Sequence, residues 1–231
     1  DSLVSKLEDK LTIKSSVQNI IDYEDNTGYS GIEWLKDCFD AIIGQQTIRV
    51  DYRNFEDKEF QWTIHPYYIK QYNNRWFLIG LNPDFENLTT IPLDRIDDII
   101  PLHIPYIPNT TIDFEGYFDK IIGVTLTNAP EEKIILRFCQ KRLQYVLTKP
   151  IHKSQVCTEP DSGVVTIRLI PNRELEALLL SFGPDVEVLS PQSLREQIQD
   201  KIKTSFSTYF DVQAGCTTSP YLCTVEPKQG D

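Results

Sequence analysis

Ile48, Val50 and Tyr52 alternate with Arg49, Asp51 and Arg53, shortly after a glycine that ends a helical pattern. This change of period constrains the fold more than any other feature. Apolar side chains at every second residue line one face of a strand, whereas the preceding Ile32, Leu35, Phe39, Ile42 and Ile43 repeat at helical spacing. The spacing predicts a helix over 32–43, stopped by Gly44. More strand-like runs follow: "QWTIHPYYIKQY" after the charged turn "EDKEF", "RWFLIGLN" after "NN", then "TTIPLDRIDDIIPL". An Asn-Asn pair tolerates positive φ and suits a two-residue hairpin. Four or five short antiparallel strands within about 60 residues, entered by one helix, imply a small β-barrel. Pro66 and Pro92 cannot donate to a ladder, so they belong at edges or bulges.

A second module begins after a connector. "EKIILRFCQ" reads as a strand and "KRLQYVLT" as a helix. Two strands joined around Asp161-Ser162-Gly163 come next, then "RELEALLLSFG" as a helix capped by Gly183. "VEVLS" is a strand, and "PQSLREQIQDKIKTSFSTYF" a helix with Pro191 at its first turn. The order β-α-β-β-α-β is that of a ferredoxin-like α/β sandwich. The chain is thus expected to be α+β. Residues 1–31 form a linker with one helix ("LVSKLEDKLTI"), 32–105 the barrel and 106–128 a connector with a short helix in "FEGYFDKIIGV". Residues 129–210 form the sandwich, and 211–231, which lack periodicity, are expected to be a disordered tail.

The 231 residues suffice for a hydrophobic core without staples. A net charge of −11 excludes a surface that binds nucleic acid as a whole, so any anion site is a local gathering of Lys and Arg. The five cysteines (Cys38, Cys139, Cys157, Cys216, Cys223) form no CxxC, which fits reduced thiols in a cytoplasmic protein. Only Cys216 and Cys223 are close enough in sequence for a local pair. No run of about 18 apolar residues and no signal peptide is present, so no membrane partner is expected. The chain starts at Asp1 and contains no methionine, which predicts a piece of a longer protein.

The sequence offers little for catalysis. None of His65, His103 and His152 sits in HExxH, and GxSxG and P-loop patterns are absent. Asp97-Asp98 and Glu131-Glu132 are adjacent, so on a strand they face opposite ways and share no substrate proton. No enzyme activity, metal or cofactor is expected.

The first module is richer. Arg49, Arg53, Lys70, Arg75 and Arg95, with His65, are interleaved with Trp62, Tyr67, Tyr68, Tyr72, Trp76 and Phe77. Guanidinium groups offer planar paired donors to phosphate or carboxylate, and aromatic faces stack on bases. A single-stranded nucleic acid or nucleotide pocket needs both. The plain alternative is an aromatic core with solvated arginines outside. Strand alternation keeps the basic residues from all lining one cavity unless a bulge, for which Pro66 leaves room, re-aims some of them.

"IRVDY", "HPYYIKQYNNRWFLIGL" and "IPLDRI" resemble the WYL domain, with the signature as Trp76-Phe77-Leu78. The resemblance covers about residues 33–105. "IILRF", "GVVTIRLI" and "LLSFGPDVEVLSPQSLREQI" within 130–205 resemble the extension that often follows such domains. It implies a bacterial transcriptional regulator: a DNA-binding helix-turn-helix domain before Asp1, an Sm/SH3-like barrel that senses nucleic-acid fragments or nucleotides, and a ferredoxin-like extension supporting a homodimer. His65, Tyr67, Trp76 and Arg95 match motif positions. Lys70 and Arg75 flank the motif and can hold an anion. Phe77 stands where the signature has tyrosine, losing a hydroxyl. Thr89 and Thr90 occupy a stretch that often carries a basic residue. Alternatives are a dimerisation module that binds nothing small and an enzyme acting on nucleotides.

Overall fold

The structure, a computed structural model, describes residues 31–85, 87–110 and 112–210. The helix expected within 1–31 and the tail 211–231, with Cys216 and Cys223, lie outside these residues. Two compact units divide at residues 114 and 115. Both are α+β with antiparallel sheets, one of five strands and one of four.

In the first unit a 3-10 turn at Ile32–Trp34 leads into helix α1 (Leu35–Ile43), followed by β1 (Ile48–Arg53), β2 (Glu59–Tyr72) and β3 (Arg75–Asn82). β4 (Asn87–Pro92), a 3-10 turn at Leu93–Arg95 and β5 (Ile96–Pro101) complete it. The strand order is β4-β3-β2-β1-β5. Asn73 and Asn74 both have positive φ, as the tight β2–β3 turn requires.

One expectation is corrected. "TTIPLDRIDDIIPL" is two strands, because Pro92 ends the β4 ladder and the buried Leu93 anchors a turn. β4 pairs with β3 and β5 with β1, and among the described residues no pairing joins β4 to β5. The sheet is therefore open, and no closed barrel forms. Pro66, expected at an edge or a bulge, stands at a bulge. It sits in the central strand, where β2 passes from pairing with β1 (through Ile64) to pairing with β3 (from His65). The register shifts between Pro66 and Tyr68, so the bulge expected there is present.

Burial follows the period-2 pattern. Ile48, Val50, Ile64, Leu78 and Ile91 form the sheet's buried face, closed by Cys38 and Ala41 of α1. Burial pushes the Cys38 thiol up to about 12, so it behaves as a small core residue. Gly80 is required by proximity: a β-carbon there would lie 2.5 Å from the His65 carbonyl and 2.6 Å from the Ile64 side chain.

A short helix, α2 (Phe114–Phe118), spans the division. The second unit runs β6 (Glu132–Phe138), α3 (Gln140–Thr148), β7 (Val156–Glu159), β8 (Val164–Leu169), α4 (Arg173–Ser181), β9 (Val186–Ser190) and α5 (Gln192–Tyr209). Its strand order is β7-β8-β6-β9, every pair antiparallel. Ile134, Leu136, Val165, Ile167 and Leu169 of the sheet pack on Leu143, Leu175, Leu179 and Leu194 of the helices. Asn172 caps α4 by accepting from the Leu175 N–H at 3.0 Å, and its amide donates to the Ile122 carbonyl at 2.7 Å. Gly163, with φ 69°, makes the β7–β8 turn where the sequence places it.

Candidate anion-binding site

The six residues singled out from the sequence fall into three places. His65 and Tyr67 lie together under the segment that follows β5. His65 is buried, and its Nδ1 accepts from the Ile107 N–H at 3.2 Å while facing the Thr47 hydroxyl at 3.1 Å. Burial lowers its pKa, which favours the neutral ring. The Tyr67 hydroxyl donates to the Ile107 carbonyl at 2.8 Å, and Tyr106 donates to the Pro66 carbonyl at 2.8 Å. Burial, then the neighbouring Tyr106, pushes the Tyr67 phenol up to about 12. These two side chains fasten a strap onto the bulge.

Trp76 lies elsewhere. It shares with Ile69, Ile32, Leu35, Phe39 and Lys36 an apolar groove of about 520 Å³ beside α1. Alternation along β3 separates it from Arg75 and Phe77.

Arg75 and Arg95 do come together. Arg75 opens β3, and its guanidinium forms a forked pair with Asp94, Nε–Oδ1 3.2 Å and Nη2–Oδ2 2.5 Å. Asp94 and Arg95 are successive residues of the 3-10 turn between β4 and β5. The Arg95 guanidinium lies 4.0 Å from the centroid of the Phe55 ring. Both guanidiniums and the Asp94 carboxylate act on the Tyr52 phenol, whose pKa is raised chiefly by burial. Tyr52 in turn stacks on Trp62 at 4.6 Å, with Phe60 and Phe85 around Trp62 and partly open to solvent. Lys70 is opposite Phe77 in the β2–β3 register and so shares the Arg75 face.

The other basic residues have carboxylate partners. Arg49 pairs with Asp51, and Arg53 with Asp97 and Glu59. Among the described residues no carboxylate pairs with Arg95. Sequence reasoning assigned no role to Asp94, Tyr52 or Phe55. The Asp-Arg dipeptide beside a distant arginine was the available signal for Asp94. Nothing in the sequence places Phe55, in a charged loop, under Arg95. Among the described residues no group of three or more His, Cys, Asp or Glu side chains could hold a metal, and no helix is long and apolar enough to cross a membrane.

A fold of two antiparallel α+β modules, the first with paired arginines over aromatic rings, defines the class: a multi-module protein with a cationic, ring-lined face on its leading module. Residues 33–101 match the WYL domain and residues 130–205 the WCX domain. The chain therefore carries a WYL domain followed by a WCX domain. Among solved structures it is similar to proteasome accessory factor B/C (PafBC) of Arthrobacter aurescens, at 20% identity and a TM-score of 0.35, over 74% of this chain and 26% of that one. It is also similar to a CRISPR Cas-related protein, at 13% identity and a TM-score of 0.46, over 77% of this chain and 50% of that one. The chain thus spans about a quarter and half of their lengths. No curated protein matches it.

Proposed function

We propose that this chain is the ligand-sensing and oligomerisation portion of a bacterial DNA-binding transcriptional regulator. Its WYL module takes a single-stranded nucleic-acid fragment or nucleotide-like anion; contact with duplex DNA falls to a domain outside these two modules. The observation that carries the reading is Arg95. Its guanidinium rests on Phe55, has no carboxylate partner among the described residues, and acts with Arg75 on the Tyr52 ring. A cation laid on a ring is already oriented for a phosphate, and Phe60 and Phe85 offer partly exposed faces to a base. The strand order β4-β3-β2-β1-β5, with a 3-10 turn before its last strand, supports an Sm/SH3-like roll. The order β7-β8-β6-β9 supports a ferredoxin-like extension.

Fluorescence anisotropy with a labelled short single-stranded oligonucleotide at two salt concentrations tests the reading. Binding should weaken with salt, and Arg95→Ala should lose roughly tenfold in affinity. No binding at low salt, or binding indifferent to Arg95→Ala, overturns it.

One observation favours a second reading, a dimerisation module that binds nothing small. Every residue from Lys201 to Phe210 is exposed, although Ile202 and Phe206 continue the helical stripe that Leu194 and Ile198 bury. A stable dimer with no oligonucleotide binding selects this reading.

A further inference from the structure

The two arginines differ in one respect that the sensing reading leaves unused. Arg95 lacks a carboxylate partner among the described residues, whereas Arg75 is held through two hydrogen bonds by Asp94, the residue next to Arg95. Two guanidiniums and one carboxylate leave the site a single net positive charge. Both members of the pair are partly open to solvent, with side-chain exposures of 34% for Arg75 and 21% for Asp94. A phosphate offers the same forked acceptor geometry as a carboxylate. It can therefore replace Asp94 on Arg75 without Arg75 changing direction.

We infer that Asp94 is an internal competitor: it occupies Arg75 in the free protein and is displaced by an anionic group of the ligand, so it sets the affinity and charge selectivity of the site. This inference rests on the proposed anion-binding reading. It names a residue that lowers affinity, where that reading names residues that raise it. The displacement has a built-in reporter. Gly31, with φ 97°, packs so tightly on this turn that a β-carbon there would lie 2.3 Å from the Asp94 nitrogen and 2.4 Å from the Leu93 carbonyl carbon. A change of Asp94 is therefore expected to be felt at Gly31.

Arg49–Asp51 supplies the control. It is a similar forked pair, with Nε–Oδ1 2.9 Å and side-chain exposures of 35% and 25%. Asp51→Asn makes the same change of net charge away from Arg75. The experiment measures binding of a labelled single-stranded oligonucleotide to the full chain against salt, for wild type, Asp94→Asn, Asp51→Asn and Arg95→Ala. Asp94→Asn should bind roughly three- to tenfold tighter. Asp51→Asn should change binding less than Asp94→Asn.

A wild type that binds and needs Arg95, with Asp94→Asn equal to it or weaker, overturns the inference and leaves the sensing reading standing. Equal gains from Asp94→Asn and Asp51→Asn also overturn it, since net charge alone then explains them. No binding by any variant overturns both. Should Asp94→Asn fail to fold, the Arg75 Nε–H and Gly31 amide NMR signals of the wild type decide. Both should shift when oligonucleotide is added, and a shift confined to Arg95 overturns the inference.

Discussion

The indole N–H of Trp34 donates to the backbone carbonyl of Ile96 at 3.0 Å, across 62 residues of sequence. It ties the start of α1 to the first residue of β5, just after the Asp94–Arg95 turn. Ile96 is buried, so its carbonyl would have no easy substitute donor. Trp34→Phe keeps most of the ring and removes the donor. Equilibrium urea unfolding should show a loss of about 1–2 kcal/mol with the slope unchanged.

Gly80 marks the second tight approach, behind the bulge at Pro66. Its backbone needs no positive φ, so the whole effect of Gly80→Ala comes from contact with the His65 carbonyl and Ile64. One neighbour is backbone within a ladder and cannot swing aside. Overpacking of this kind should destabilise the first unit by about 1–3 kcal/mol, read as a lower urea midpoint.

His65 makes stability depend on pH with a definite sign. Its folded pKa is lowered by burial, so between that value and the unfolded value of about 6.5 the unfolded chain binds more protons. The contribution is fully present above about pH 6.5 and declines as pH falls below it. His152, also lowered chiefly by burial, acts in the same direction. His65→Asn keeps an acceptor near the Nδ1 position and does not titrate. Its unfolding free energy should change less than that of the wild type between pH 7.5 and 5.5.

Most of the element order was legible because local chemistry and tertiary packing agree. Asn73-Asn74, Gly163 and Gly183 each stand at positive φ where the sequence punctuates, and the two periods separate α1 from β1 cleanly. The interruption after Pro92 was not legible. "IPLDRIDD" has strand-like ends, and only the burial of Leu93 reveals the turn. The site was read by residue type, and the structure divides those residues among three places. His65 and Tyr67 are polar residues whose partners, Thr47 and Ile107, lie 18 and 40 residues away. Pattern alone cannot distinguish such fastening from ligand contact. Arg75 and Arg95 came together because the β2–β3 turn and the 3-10 turn fall at the same end of the sheet, and register carries that information.

The outer half of α5 yields the last expectation. Residues 203–208 read Lys-Thr-Ser-Phe-Ser-Thr, which includes several weak helix formers, and none of them is buried. A short helical stretch of such composition is marginal in water without a packing partner. Its Ile202, Phe206 and Tyr209 fall at spacings of four and three, one face of the helix. The nearby charges Asp200, Lys201 and Lys203 sum to +1, so this face does not share the negative charge of a chain that is −11 as a whole. The proposed homodimer should therefore depend on this face. Phe206→Asp should shift the sedimentation profile from dimer to monomer at micromolar concentration and leave the second unit's unfolding midpoint nearly unchanged, because Leu194 and Ile198, not Phe206, hold α5 to the sheet. A Phe206→Asp chain that sediments like the wild-type dimer would place the contact elsewhere.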